Sequence, residues 1–150
     1  MYLTMEGEEI AKGWPSLFGV SYENLCDEPC HDKFVCIINT DTKTGEGIHW
    51  VACGMNGGVG YFYNSLGEPP NDVMKRELVR IGNLDRLYYF DTQQQPDESF
   101  KCGYYCLHFI KRYCLGKRGI DLYAGDMGLV DKDMESNDKK IGKLAYSLKQ

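Results

Sequence analysis

The chain has 150 residues, 43% of them apolar and 13% aromatic, which suits one domain over 1–150 with a full core and is far from a disordered composition. A formal net charge of −5 argues against general affinity for phosphate backbones, although Lys111-Arg112, Lys117-Arg118 and Lys139, Lys140 and Lys143 leave room for a local basic patch. No apolar run is long enough to span a membrane, and no basic stretch followed by an apolar one marks a signal peptide.

Residues 1–30 mix turn signals with scattered apolar positions and predict an irregular, partly helical lead-in. Within it, MEGEEIAKG reads as a short helix ended by Gly13 and anchored by Trp14 and Phe18. KFVCIINT (33–40) is β-branched and apolar, as a buried strand should be. TKTGEG (42–47) is a turn, IHWVACGM (48–55) a second strand, NGG (56–58) a hairpin signal and VGYFYNS (59–65) a third strand. In LGEPPNDVMKRELVRIG (66–82), Asn71 or Asp72 caps a helix ending at Gly82. Met74, Leu78 and Ile81 share its apolar face, with Val73, Glu77 and Arg80 off it.

LDRLYYFDT (84–92) predicts a fourth strand and QQQPDES (93–99) a polar loop. In FKCGYYCLHFIKRYC (100–114), Cys102, Cys106, Phe109 and Tyr113 recur at helical spacing and are expected to face inward, with His108 at the surface. Turns rich in Gly and Asp then lead to a weaker helix around 138–148, with Ile141, Leu144 and Leu148 on one side. Hairpins beside one long central helix predict an α+β domain with a mixed or antiparallel sheet packed on that helix.

Seven cysteines cannot all pair within one chain and are read as mostly reduced thiols. Cys26, Cys30, His31 and Cys36 cluster as zinc ligands would. Yet Cys36 falls in a strand and no second cysteine pair stands at hairpin spacing, so no metal site is expected. Cys102 and Cys106 stand four apart, which is not the CxxC redox spacing. Cys102 occupies the first turn of the long helix, where a thiol becomes more acidic, while Cys106 lies a turn deeper and is placed to pack. On these residues alone Cys102 is either a nucleophile or an ordinary buried cysteine.

A cysteine nucleophile needs a base, and His49, read as lying in a strand and followed by Trp50, is the best placed of the three histidines. Asn64 on the neighbouring strand can orient its ring, and Gln95 can donate an N–H to an oxyanion alongside the Cys102 backbone N–H.

The stretch CIINTDTKTGEGIHWVACGMNGGVGYFYNSLG, followed by Gln95 seven residues before CGYYC, resembles the adenovirus protease (adenain)-like cysteine proteases. That family shares a clan with the SUMO-deconjugating, Ulp-type proteases. The likeness runs from about Lys33 through Tyr113, and its specific part is the order: INT, G-x-HW, an aromatic hairpin strand, an LG turn, a glutamine, then CG-x-x-C. It implies the adenain-like fold, with Cys102 as nucleophile, His49 as general base, Gln95 as oxyanion donor and Asn64 in place of the acidic residue. Adenain has glutamate there and most relatives aspartate. An amide holds the ring through its carbonyl oxygen and adds no charge to steady the imidazolium.

The resemblance further implies hydrolysis after glycine-type sites in viral capsid or core precursors during virion maturation, in the virion and the host cell interior. Deconjugation of ubiquitin-like tails is the alternative within the enzymes, and a catalytically weak interaction module with the same fold is the alternative outside them. No cofactor is required for the chemistry. The family implies an activating viral peptide, whose docking surface is expected to be missing from a chain shorter than adenain, most of the shortening falling after the nucleophile helix. Activation by DNA is the weaker expectation at this net charge.

Overall fold

The computed structural model describes residues 3–40, 49–127 and 134–146, so the predicted turn at 42–47 and the predicted place of Leu148 lie outside it. Its first element, α1 (Leu3–Ile10), winds down into Gly13, whose φ of 88° suits a residue without Cβ. The segment after it is more regular than the expected lead-in. β1 (Ser16–Ser21) pairs in parallel with β2 (Lys33–Asn39), its register slipping between Phe18 and Val20 around Gly19, and a 3-10 turn (Tyr22–Asp27) joins the two. A glycine inside six residues hides a strand's alternation.

β2 continues antiparallel into β3 (Trp50–Asn56) and β4 (Val59–Tyr63), and β5 (Arg86–Tyr89) runs parallel to β4. Among the described residues these form one five-stranded mixed sheet in the order β1-β2-β3-β4-β5. Gly57 and Gly58, with φ of 61° and 85°, make the tight turn between β3 and β4, where both positions need a positive φ. All four predicted strands are shorter than expected, β2 by its last residue alone. β4 stops at Tyr63, leaving Asn64 and Ser65 in the turn beyond it, and β5 keeps only four residues. β3 starts at Trp50, so His49 stands just ahead of the strand, its carbonyl still accepting from Thr40 N–H at 2.9 Å.

The apolar run in β2 is unbroken because both faces of the sheet are covered. On one face Phe34, Cys36 and Ile38 join Val51, Cys53, Met55 and Phe62 beneath Met74, Leu78 and Ile81 of α2 (Asp72–Gly82). Asn71 caps that helix, its Oδ1 accepting from Met74 N–H at 2.8 Å. On the other face Val35, Ile37, Ala52 and Tyr63 meet α3 (Cys102–Cys114). Gly54 of β3 makes that packing close: a Cβ there would lie 2.5 Å from the Tyr113 ring.

Around α3 gather α1, a short α4 (Gly119–Tyr123) that the sequence pattern does not announce, and α5 (Met134–Tyr146), which begins earlier than expected. This wrapping corrects the reading of His108 as a surface residue. With α5 packed along α3, only 6% of His108 remains exposed. A helix apolar nearly all round, as Tyr105 to Ile110 is apart from His108, is a buried helix.

Candidate active site

β3 and β4 form a hairpin, so the residue before β3 and the residue after β4 fall at the same end of the sheet, opposite the Gly57–Gly58 turn. These are His49 and Asn64, and His49 Nε2 lies 2.8 Å from Asn64 Oδ1. The same oxygen receives Leu66 N–H at 2.8 Å, and Gly67 N–H closes the turn onto the Asn64 carbonyl at 2.8 Å. A backbone N–H can only donate, so the atom facing it is the amide oxygen, and the imidazole must then donate to it too. The His49 proton therefore sits on Nε2 and the lone pair on Nδ1.

Cys102 opens α3 and is 7% exposed. The N–H groups of Trp50, Gly103 and Cys102 itself face its sulfur, and the first of these belongs to the residue after His49. Tyr104 and Tyr105 N–H both take the Lys101 carbonyl, so the N–H groups of Cys102 and Gly103 belong to the helix end that has no intrahelical acceptor. Burial pushes the Cys102 thiol up from its ordinary value, and the three N–H groups pull it only part of the way back. The expectation of a thiol acidified by the helix start is thereby reversed.

Gln95 is buried at 2% exposure, on the loop between β5 and α3. Its Oε1 meets Ser65 Oγ at 2.5 Å and its Nε2 donates to the Ser99 carbonyl at 2.9 Å. The backbone on either side is pinned as well. Gln94 and Gln95 N–H both donate to the Ser65 carbonyl, at 2.8 and 3.0 Å, and Asn137 Nδ2 donates to the Gln94 carbonyl at 3.0 Å. The Gln94 side chain bridges Tyr63 OH at 2.7 Å and the Tyr123 carbonyl at 3.0 Å, so its amide is spent inside the fold. A cleft of about 360 Å³ runs beside this loop, lined by Pro96, Glu98, Lys101, Glu135, Asp138 and Lys139 among others.

The remaining chemistry-bearing residues lie elsewhere. His31, near the hairpin-turn end of the sheet, bonds Glu28 Oε1 at 2.8 Å and stacks on Phe34. Cys36 is buried in β2, while Cys26 and Cys30 are exposed and Cys106 is packed under α3 as expected. Trp50 packs against the core on the α3 side. Ser65 and Asp138 escape a reading of the sequence, since one is an ordinary turn residue and the other sits in a helix of weak pattern.

No family model matches the chain. Among curated proteins, the SUMO-1 cysteine protease of African swine fever virus (isolate Warthog/Namibia/Wart80/1980) is 31% identical over 94 residues, 55% of this chain and 34% of that one. The cysteine protease of the Vero-adapted Badajoz 1971 strain matches to the same extent. The chain thus spans about a third of the length of the curated relatives it matches. Among solved structures, the African swine fever virus protease superposes with a TM-score of 0.50 at 22% identity, over 79% of this chain and 43% of that one, which shows a shared fold. The SUMO protease Ulp1, with its catalytic cysteine oxidised to a sulfonic acid, gives a TM-score of 0.48 at 18% identity, covering 96% of this chain and 74% of that one. The chain resembles cysteine proteases of the adenain and Ulp clan, as its motifs imply.

Proposed function

We propose that residues 1–150 form one cysteine endopeptidase domain that cleaves after glycine-type sites in viral capsid or core precursors during virion maturation, in the virion and the host cell interior. The observation that carries this reading is the 2.8 Å bond between His49 Nε2 and Asn64 Oδ1, on the residue next to the Trp50 N–H that faces the Cys102 sulfur. His49, its proton held on Nε2, uses the Nδ1 lone pair to take the Cys102 proton as the sulfur attacks the scissile carbonyl. Gln95 Nε2–H and the Cys102 N–H hold the tetrahedral oxyanion. Imidazolium then returns the proton to the leaving amine, and the same imidazole activates the water that hydrolyses the acyl-enzyme.

Burial holds the Cys102 thiol above its ordinary range, and an amide in place of a carboxylate at position 64 adds no charge to steady an imidazolium. The side chains and water suffice for this chemistry. A short viral peptide is the proposed activator; DNA is the weaker candidate, because a net charge of −5 opposes it.

Incubation with peptides containing internal glycines, with and without candidate viral peptides, tests the reading. The wild-type chain should cleave after glycine, while Cys102→Ala and His49→Ala should not. An inert wild type in every mixture, with Cys102 alkylated no faster than Cys26 or Cys30, would leave an interaction module. The name of the curated relatives, SUMO-1 cysteine protease, favours a second reading: hydrolysis at the glycine end of a ubiquitin-like tail. A SUMO fusion cleaved faster than any linear peptide of the same terminal sequence would select it.

A further inference from the structure

We propose that Ser65 and Asp138 are positioning residues that anchor the Gln95 side-chain amide, whose nitrogen end is set by the Ser99 carbonyl, an inference that rests on the protease reading above. A glutamine serves an oxyanion site only if its nitrogen end supplies the free N–H, and the two ends of an amide are nearly the same shape. In this fold the choice is made by the neighbours. The Ser99 carbonyl can only accept, so the atom 2.9 Å from it must be Nε2, and the opposite atom, which meets Ser65 Oγ, must be Oε1. One Nε2 hydrogen goes to Ser99, which leaves the second for a ligand.

The Ser99 carbonyl is itself held in place. Ser99 Oγ donates to Asp138 Oδ1 at 3.0 Å and accepts from Lys101 N–H at 3.1 Å, directly ahead of Cys102. Tyr105 OH donates to the same Asp138 oxygen at 2.9 Å, and Lys101 Nζ donates to the Asp138 backbone carbonyl at 3.0 Å. Helix α5 thus clamps one side of the loop through Asp138. Ser65 clamps the other, with its hydroxyl on the Gln95 amide and its carbonyl under the N–H groups of Gln94 and Gln95. Since Ser65 follows Asn64, a single turn both orients the imidazole and anchors the amide.

Steady-state kinetics on a fluorogenic peptide amide ending in glycine, in parallel with iodoacetamide labelling of Cys102, tests the assignment. Ser65→Ala should lower kcat by on the order of a hundredfold with KM nearly unchanged, the loss typical of one oxyanion donor. Asp138→Ala should cost roughly tenfold, and Asp138→Asn, which keeps an acceptor oxygen for Ser99 and Tyr105, should recover to within about threefold. Labelling of Cys102 and its pH profile should stay as in the wild type for all three, because the thiol and His49 are untouched. In a Gln95→Ala background, Ser65→Ala should add less than about a twofold loss, since both act through the same amide. Full kcat in Ser65→Ala and Asp138→Ala, independent losses in the Gln95→Ala background, or an Asp138→Asn as impaired as Asp138→Ala would each overturn the proposal while leaving the protease reading intact. A wild type that hydrolyses no substrate and labels Cys102 no faster than the exposed cysteines would overturn both.

Discussion

Asn64 Oδ1 accepts from Leu66 N–H and His49 Nε2 together, and a carboxylate oxygen at that place would accept both without any rearrangement. Asn64→Asp therefore isolates the effect of one negative charge. An added carboxylate beside the ring stabilises the imidazolium, and so the thiolate–imidazolium pair, by about one pKa unit or more. Alkylation of Cys102 by iodoacetamide at pH 6 to 7 should quicken several-fold relative to the wild type, and its pH midpoint should move down. Asn64→Ala removes the acceptor and leaves the ring free to turn; kcat should fall by on the order of tenfold or more, with Cys102 still present. Unchanged alkylation profiles in both variants would mean that position 64 does not govern the ring. At this scale the pairing of His49 with Asn64 was legible, and Cys102 and Gln95 drew notice because few other residue types can perform the chemistry proposed for them. Ser65 and Asp138 were not, because a hydroxyl in a turn and a carboxylate on a helix acquire meaning only from what lies across from them.

At the scale of elements, α3 depends on a bare backbone opposite it. The Tyr113 ring over Gly54 is buried, packs edge-on against Trp14 at 5.3 Å, and lies beneath the Arg118 guanidinium at 3.7 Å. It has no room to yield. Gly54→Ala should destabilise the fold by about 1–3 kcal/mol, the usual range for overpacking, measured as a lower urea midpoint with an unchanged slope. A midpoint equal to wild type would show that the helix shifts without cost. Elements with a strong local signal were readable beforehand: the Gly57–Gly58 hairpin, a cap at Asn71 or Asp72, which the structure gives to Asn71, and the apolar stripe of α2. Where the signal is tertiary the reading fell short. β1 is broken by Gly19 and gains its regularity from β2, and α4 is a single turn held by its aromatic contacts with Phe90, Phe109 and Tyr63 through Tyr123.

For the whole molecule, the assembly of α5 onto α3 encloses an imidazole and so ties global stability to pH. His108 is held down to about 4, first by burial and then by the Arg112 and Lys111 charges, with Asp126 and the dipole of the Leu144 carbonyl pulling weakly the other way. That carbonyl already accepts from Lys111 Nζ at 3.0 Å, and neither ring nitrogen makes a hydrogen bond among the described residues. An unfolded histidine protonates near 6.5, so as pH falls the unfolded chain binds the proton before the folded one does. The contribution to stability is full above about pH 7 and falls through the window from about 6.5 to 4, the loss reaching about 3 kcal/mol once both states are protonated. Between pH 7 and pH 5 the loss should be about 2 kcal/mol, read from urea unfolding at the two pH values. His108→Leu, close in volume and unable to titrate, should flatten that interval. Equal losses in the wild type and the variant would assign the acid sensitivity to the carboxylates and leave the buried ring without a part in it.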